Sequence, residues 1–398
     1  MSLIFIECLF LSACLIFLMG INPFVRKWKN LVLYACGGFF LTLIVSYVFL
    51  CFFEVQLSFY LIVVFSLFFV TKYLLNESGV EKAKPRKDED TFILGSESGQ
   101  LEFYYPRDNF MVLGGAGSGK TASIGKPILE QYIRYGWAGF IYDYKDYDYT
   151  KTAWNLVQKY KYPYKFYYIS FTDMSRTYRF NILNKNVIRN ETMLFQAMTD
   201  FFNAMKPEKG NTDEWFQAAL GLLCGVAVRF YKFQGDYEKY CTLPHILNFI
   251  LMATPEQLTR FLEGDMMSKM KAGAFLGSKG SERTQSSVIF SINNYISNLA
   301  TNKNVCYVLS GNDFIYDLID PEDPKLFAVS NNFAIESMIS PIVAMLVPLA
   351  ARRIEFGNRV KFAFVLDEMT TVKVNDFQSL PSVLREYGVS FLVLTQSG

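Results

Sequence analysis

Histidine is almost absent from this sequence, because His245 is the single histidine among 398 residues. A catalytic triad with histidine as its base and a metal site built from several histidines are therefore excluded. His245 follows Pro244 in a context typical of a helix start, which favours a structural role. The chemistry of this chain must therefore rest on other side chains.

Cysteine patterns that would indicate a metal site or a disulfide framework are also missing. None of the seven cysteines has the C-x-x-C or metal-ligand spacing of such sites. Neither zinc binding nor a disulfide scaffold is therefore indicated. The sequence also lacks a large excess of charge of either sign. Its formal net charge of +2 is too small to indicate nucleic-acid binding by itself.

Long apolar runs, by contrast, are abundant near the N-terminus, in a chain that is 51% hydrophobic. Three runs have about the 20 residues that cross the hydrocarbon core of a membrane, and almost no charge interrupts them. They predict a transmembrane anchor over residues 1–78, with buried core helices as the alternative. The three predicted helices cover about 3–21, 31–53 and 57–75.

Basic residues predict the orientation of this anchor, because they accumulate on the cytoplasmic side of membrane proteins. One basic cluster follows the first run and another follows the third. We expect both clusters in the cytoplasm, and the N-terminus and the short turn 54–56 outside. Everything from about Lys82 is then cytoplasmic. The clusters are Arg26, Lys27 and Lys29, and Lys72, Lys82, Lys84, Arg86 and Lys87.

Residues 79–90 are charged and contain proline, which predicts a linker between the anchor and a globular part. Beyond it, short apolar runs alternate with helical spacing in 91–189 and 303–398. This alternation predicts an α/β domain with a mainly parallel sheet and helices on both faces. The predicted strands include 139–142, 166–169, 326–330, 362–366 and 389–394.

The stretch 190–302 has a different pattern, with helical spacing and few strand-like runs. It predicts an all-helical insertion that interrupts the α/β domain. The predicted helices cover 191–205, 214–230, 244–251 and 286–299.

A phosphate loop is the most specific motif of the chain. Residues 114–121 match the pattern G-x-x-x-x-G-K-[ST] and directly follow the apolar run 110–113. Glycines let backbone N–H groups surround the β-phosphate, Lys120 reaches the β- and γ-phosphates, and Thr121 supplies a hydroxyl to Mg²⁺. The loop therefore predicts binding of ATP or GTP. Its residues are Gly114, Gly115, Ala116, Gly117, Ser118, Gly119, Lys120 and Thr121.

Two carboxylates follow the apolar run 362–366. A phosphate-loop ATPase needs such acidic groups to hold Mg²⁺ and to activate the attacking water. Asp367 is expected to hold Mg²⁺ through water, and Glu368 to polarise the attacking water. Gln396, at the end of the last apolar run, is placed to sense the γ-phosphate. Arg385 is a candidate arginine finger for the nucleotide of a neighbouring subunit, with a surface ion pair as the alternative.

Together these features resemble the conjugative coupling proteins, the TraG/TraD-type membrane ATPases of type IV secretion. The resemblance spans almost the whole chain, and the order of its motifs is more specific than the phosphate loop alone. It is carried by the membrane anchor, the phosphate loop, Asp143-Tyr144-Lys145 after an apolar run, the helical insertion, Leu366-Asp367-Glu368, Arg385 and Gly388, and Thr395-Gln396-Ser397.

The resemblance implies a RecA-like P-loop ATPase in the bacterial inner membrane, with its ATPase domain in the cytoplasm. Members of the family are hexamers that use ATP and Mg²⁺ to bring DNA to a type IV secretion channel. The DNA is expected to be single-stranded and to carry a relaxase. The resemblance also implies that Gly117, Gly119, Lys120 and Thr121 bind nucleotide. It further implies that Asp367 and Glu368 serve metal and water activation, that Arg385 acts in trans, and that Gln396 couples the γ-phosphate to movement.

Two features depart from the family pattern. The family has a two-helix anchor with a sizeable outer loop, whereas this sequence has three runs and a short turn. The sequence also stops at Gly398, where the family's core continues, so we expect it to be C-terminally truncated.

Other functions stay open at this point. The chain fits a related FtsK-like duplex DNA translocase or a protein-export motor, and also a membrane receptor that binds ATP and docks substrates without moving them. An ABC transporter is disfavoured, because no Leu-Ser-Gly-Gly signature separates the two nucleotide motifs.

Overall fold

The computed structural model describes residues 90–396, except 97–98, 207–213, 233–238 and 356. The predicted transmembrane anchor and nearly all of the predicted linker lie outside these described residues. None of the helices in the described part has both the length and the apolar character that a membrane crossing requires.

A six-stranded parallel sheet forms the centre of the described part, in the strand order β3-β8-β7-β4-β6-β5. An antiparallel hairpin of β1 and β2 precedes it. The prediction of a mainly parallel sheet is therefore confirmed. The strands are β1 (Phe92–Ser96), β2 (Gly99–Phe103), β3 (Phe110–Leu113), β4 (Ala138–Asp143), β5 (Lys165–Ile169), β6 (Lys325–Ser330), β7 (Phe362–Leu366) and β8 (Val389–Thr395).

Helices join these strands and fill the long interval between β5 and β6. They are α1 (Lys126–Arg134), α2 (Asp148–Tyr160), α3 (Glu191–Ala204), α4 (Glu214–Lys232), α5 (Leu243–Met252), α6 (Pro255–Leu262), α7 (Met266–Lys271), α8 (Gly273–Gly277), α9 (Glu282–Ala300), α10 (Lys303–Leu309), α11 (Glu336–Ala351) and α12 (Leu380–Leu384).

Successive residues of the central strand β4 pack into different cores, because side chains alternate between the two faces of a sheet. Ile141 joins an apolar core with Ile128 of α1 and Tyr149 of α2. Phe140 joins the core on the other face, which includes Val343 of α11. Helices therefore cover both faces, as predicted, and burial on both sides explains why these strands are continuous apolar runs.

Helices α3 to α10 occupy residues 191–309, and no strand is found among the described residues of this stretch. Their apolar side chains, such as Phe201 of α3, share one core with the α11 face of the sheet. The sequence pattern missed the short helices α6, α7, α8 and α10 and began α9 four residues late, at 286. That the stretch 190–302 forms a domain of its own stays a prediction.

Asp90 fixes the start of the described chain to the sheet domain. Its buried carboxylate accepts hydrogen bonds from Trp137 Nε1 at 2.7 Å and from Lys361 Nζ at 2.8 Å. Trp137 directly precedes β4 and Lys361 directly precedes β7. Asp90 therefore ties the end of the predicted linker to the beginning of two central strands.

Candidate nucleotide site

The phosphate loop begins directly after β3, and its last two residues, Lys120 and Thr121, start a π-helical turn, Lys120–Gly125, that leads directly into α1. The α-helix proper begins at Lys126. Gly117 and Gly119 have φ angles of 75° and 81°, the left-handed region that favours glycine. The loop backbone therefore has a conformation in which a residue with a side chain would be strained at these two positions.

Contacts within and beside the loop hold it against the sheet. The Gly114 N–H donates to the Thr395 carbonyl at the end of β8, at 3.3 Å. Lys120 Nζ donates to the carbonyl oxygen of Gly115 at 3.1 Å and to that of Gly114. A Cβ atom added at Gly114 would lie 2.7 Å from Ser118 Oγ, so a larger residue would crowd the loop. The loop is therefore compact, and its lysine lies close to its own backbone.

Asp367 and Glu368 follow β7 directly and are both buried, with 2% and 6% of their surfaces exposed. Asp367 Oδ2 and Glu368 Oε1 make no hydrogen bond within the described residues. Burial raises the pKa of Asp367 to about 6, and the ammonium of Lys145 opposes this shift. Buried acceptor oxygens without partners are costly, at about 1–3 kcal/mol each. They suit a ligand that supplies a cation or a donor, as Mg²⁺ and its water molecules do.

Glu368 is also unusual in its backbone, because its φ of 50° is left-handed for a residue with a side chain. Such conformations cluster at functional sites. Its Oε2 accepts a hydrogen bond from Gln396 Nε2 at 2.8 Å. The structure therefore brings together two predicted site residues from the ends of β7 and β8, which are neighbouring parallel strands.

Arg385 lies in a short 3-10 turn, Arg385–Tyr387, before β8. Its guanidinium pairs with Asp108 Oδ1 at 3.1 Å, and more than half of each side chain is exposed. This contact corresponds to the surface ion pair that was the alternative interpretation. The role of Arg385 in a neighbouring subunit stays a prediction.

Sequence reasoning missed the part that Lys145 plays in this site. Lys145 Nζ donates to Thr121 Oγ1 at 3.0 Å and lies 3.9 Å from Asp367 Oδ2. The available signal was the polar triplet Asp143-Tyr144-Lys145 at the end of an apolar run, since carboxyl ends of neighbouring parallel strands meet at one edge of a sheet. Here β4 pairs with β7, so that Tyr142 lies opposite Leu366.

The described residues hold no group of three or more histidine, cysteine, aspartate or glutamate side chains arranged to bind a metal. The predicted Mg²⁺ site uses one hydroxyl, of Thr121, and one carboxylate, of Asp367. Mg²⁺ is commonly held in this way, by one or two protein groups together with water and phosphate oxygens.

A phosphate loop at a helix start, with a buried carboxylate pair at the tip of a nearby parallel strand, defines the P-loop class of nucleoside triphosphatases. Residues 69–398 match the family model described as type IV secretory system conjugative DNA transfer, and the chain belongs to this family. The resemblance to conjugative coupling proteins is thereby confirmed.

Solved structures of the bacterial conjugative coupling protein TrwB are similar in fold. Unbound TrwB has a TM-score of 0.58 at 17% identity, with 78% of this chain and 68% of that chain covered. For TrwB with ADP and Mg²⁺ the values are 0.58, 17%, 80% and 70%, and for TrwB with a non-hydrolysable ATP analogue they are 0.55, 18%, 74% and 64%. No curated protein matches the chain. At these identities the likeness shows the fold alone.

Proposed function

We propose that this protein is a membrane-anchored ATPase that drives the delivery of relaxase-bound, single-stranded DNA into a type IV secretion channel. The observation that carries this proposal is a phosphate loop and a buried carboxylate pair at one site, in a member of the conjugative DNA transfer family. We further propose a homo-hexamer in the bacterial inner membrane, with the described part in the cytoplasm. TrwB supports nucleotide binding by analogy, since it was solved with ADP and Mg²⁺.

In this proposal the phosphate loop binds ATP through its backbone N–H groups and Lys120. Thr121 and Asp367 would hold Mg²⁺, which when bound neutralises phosphate charge. The glycine conformations and Asp367 Oδ2, which accepts no hydrogen bond within the described residues, fit these ligands. Lys120 can leave its carbonyl contacts for phosphate oxygens, because a charged acceptor forms a stronger hydrogen bond than a neutral one.

Glu368 is the proposed general base. One of its oxygens, Oε2, is held by Gln396, whereas Oε1 has no partner among the described residues and can accept a proton from water. Gln396 lies on the strand whose Thr395 carbonyl holds the phosphate loop through Gly114. A change in the contacts of the γ-phosphate would therefore reach β8 through two hydrogen bonds, that between Gln396 and Glu368 and that between Thr395 and Gly114. This supports the proposed coupling role of Gln396.

The proposed function is tested by measuring ATP hydrolysis of the detergent-purified protein with and without DNA. We expect hydrolysis that single-stranded DNA increases several-fold, and more than duplex DNA does. Stimulation by duplex DNA alone would favour an FtsK-like translocase, and hydrolysis that no DNA changes would contradict a DNA motor. ATP binding without any hydrolysis would favour the substrate receptor.

The proposed action of Arg385 in trans makes a specific prediction for mixed oligomers. Arg385→Ala and Lys120→Ala subunits are each expected to be inactive alone. In an equal mixture, one interface in four combines an intact Lys120 with an intact Arg385, so hydrolysis should recover to about a quarter of the wild-type rate.

An Asp108→Ala variant is the control for that experiment. It removes the surface partner of Arg385, and exposed ion pairs contribute only about 0.2–1 kcal/mol, so hydrolysis should be unchanged. A mixture no more active than its two components would show that Arg385 does not act between subunits.

A further inference from the structure

Lys145 places a positive charge between the two side chains proposed to hold Mg²⁺. Its Nζ is 3.0 Å from Thr121 Oγ1 and 3.9 Å from Asp367 Oδ2. Among the described residues, Lys145 is the one cation that forms an ion pair with Asp367. The ammonium group therefore lies beside both side chains that would hold Mg²⁺.

The turn that carries Lys145 is fixed by the neighbouring strand β6. Asp146 and Tyr147 both have left-handed φ angles, 49° and 73°. Their N–H groups donate to the Asn331 carbonyl at 3.1 Å and to Ser330 Oγ at 2.9 Å. Left-handed residues other than glycine persist only where the surroundings hold them. The backbone of Lys145 is therefore held in place, so that its side chain starts from a fixed position beside the site.

A second set of contacts holds the same turn from within. The Lys145 N–H donates to Asp143 Oδ1 at 3.2 Å. The other oxygen of this buried carboxylate, Oδ2, accepts bonds from the Thr150 N–H and from its hydroxyl, both at 2.8 Å. Asp143 therefore shapes the turn from which the Lys145 side chain reaches Thr121 and Asp367.

The burial of Asp367 and the exposure of Lys145 make this lysine a replaceable ion-pair partner. Asp367 is buried, and a buried carboxylate needs a compensating charge. The Lys145 side chain, in contrast, is 49% exposed and sits on a flexible four-carbon stem. It can move into solvent without leaving a charge buried, provided that another cation takes its place beside Asp367.

We propose that Lys145 is a positioning residue that acts as a built-in substitute for Mg²⁺. It holds Thr121 and Asp367 together before nucleotide arrives, and it is displaced when Mg²⁺ takes the place of its charge beside these two side chains. This inference rests on the proposed function in taking Mg²⁺ and ATP as the ligands. It makes lysine and Mg²⁺ competitors, so removal of the lysine strengthens metal binding.

The test titrates Mg²⁺ into the full chain with the non-hydrolysable analogue ADPNP and follows binding by calorimetry. In Lys145→Met, half-saturation should need about fivefold less Mg²⁺, as expected for loss of one competing ion pair. ADPNP affinity in EDTA should stay within about twofold of wild type. Lys145→Arg should restore the wild-type value, and Lys151→Met, which removes an exposed lysine of α2, should not change it.

A second measurement needs no nucleotide. In EDTA, Lys145→Met should lower the unfolding temperature by about 2 °C, because Asp367 loses its cation. In an Asp367→Asn background the same change should have no effect. An equal effect in both backgrounds would overturn the inference.

The outcomes separate this inference from the function on which it rests. Absence of ADPNP binding by the wild-type protein would overturn the proposed function and the inference with it. Normal ADPNP binding with an unchanged or higher Mg²⁺ requirement in Lys145→Met would overturn the inference alone. A tenfold loss of ADPNP affinity in EDTA would show instead that Lys145 is a phosphate ligand.

Discussion

Replacement of Lys120 by alanine is expected to lower ATP hydrolysis about a thousandfold, which corresponds to roughly 4 kcal/mol of lost transition-state stabilisation. In the proposed function the lysine charge binds the phosphates, in place of its present partners, the carbonyls of Gly114 and Gly115. Steady-state hydrolysis by the purified protein measures the effect, together with ADPNP binding by calorimetry.

Lys126→Ala is a matched control for this variant. Lys126 begins α1, only a short distance along the chain, but its Nζ pairs with Asp148 at 2.6 Å instead of contacting the loop. Its loss should change hydrolysis less than about threefold, as for a partly exposed ion pair. A Lys120→Ala variant that kept a tenth of wild-type activity would contradict a phosphate-binding role for this residue.

Glu368→Gln is expected to reduce hydrolysis by about a thousandfold while leaving ADPNP affinity within about twofold of wild type. The amide has the size of the carboxylate but cannot accept a proton from water. Single-turnover hydrolysis measures the chemical step, and calorimetry measures binding. The variant should therefore retain ATP without cleaving it.

Glu386→Gln serves as the control for Glu368→Gln, because it makes the same chemical change at an exposed residue of the turn before β8. It should leave hydrolysis unchanged. If Glu368→Gln hydrolysed ATP within tenfold of wild type, another group would have to activate the water. If it lost hydrolysis but supported full DNA transfer, the protein would be a receptor and not a motor.

Local signals explain what the sequence could predict of the site. The phosphate loop is a contiguous octet, and Asp367 and Glu368 directly follow a run that coincides with β7. The parallel sheet was predictable because strands buried on both faces are unbroken apolar runs. Each of these signals lies within fewer than ten residues of sequence.

Contacts between distant residues explain what it could not predict. The triangle of Thr121, Lys145 and Asp367 depends on the order of strands in the sheet, and the pairing of Arg385 with Asp108 depends on how two surface turns meet. Neither strand order nor turn geometry follows from apolar periodicity. The proposed competition between Lys145 and Mg²⁺ could therefore not be predicted without knowledge of the fold.

The short helices of the 190–302 stretch were missed for another reason. Periodicity needs several turns to be visible, and α6 and α7 have eight and six residues. Their starts nevertheless carry capping signals, since Thr254 and Gln257 form a capping box and Asp265 accepts a bond from the Ser268 N–H. Capping residues at the helix starts would therefore have predicted helices that apolar periodicity missed.

The attachment of Asp90 to Trp137 and Lys361 determines how tension would enter the domain. A pull on the chain from the side of the predicted linker would reach the beginnings of β4 and β7 first. The nucleotide site lies at the opposite ends of these same strands, after Asp143 and Leu366. The attachment point of Asp90 and the nucleotide site therefore lie at opposite ends of the same two strands, β4 and β7.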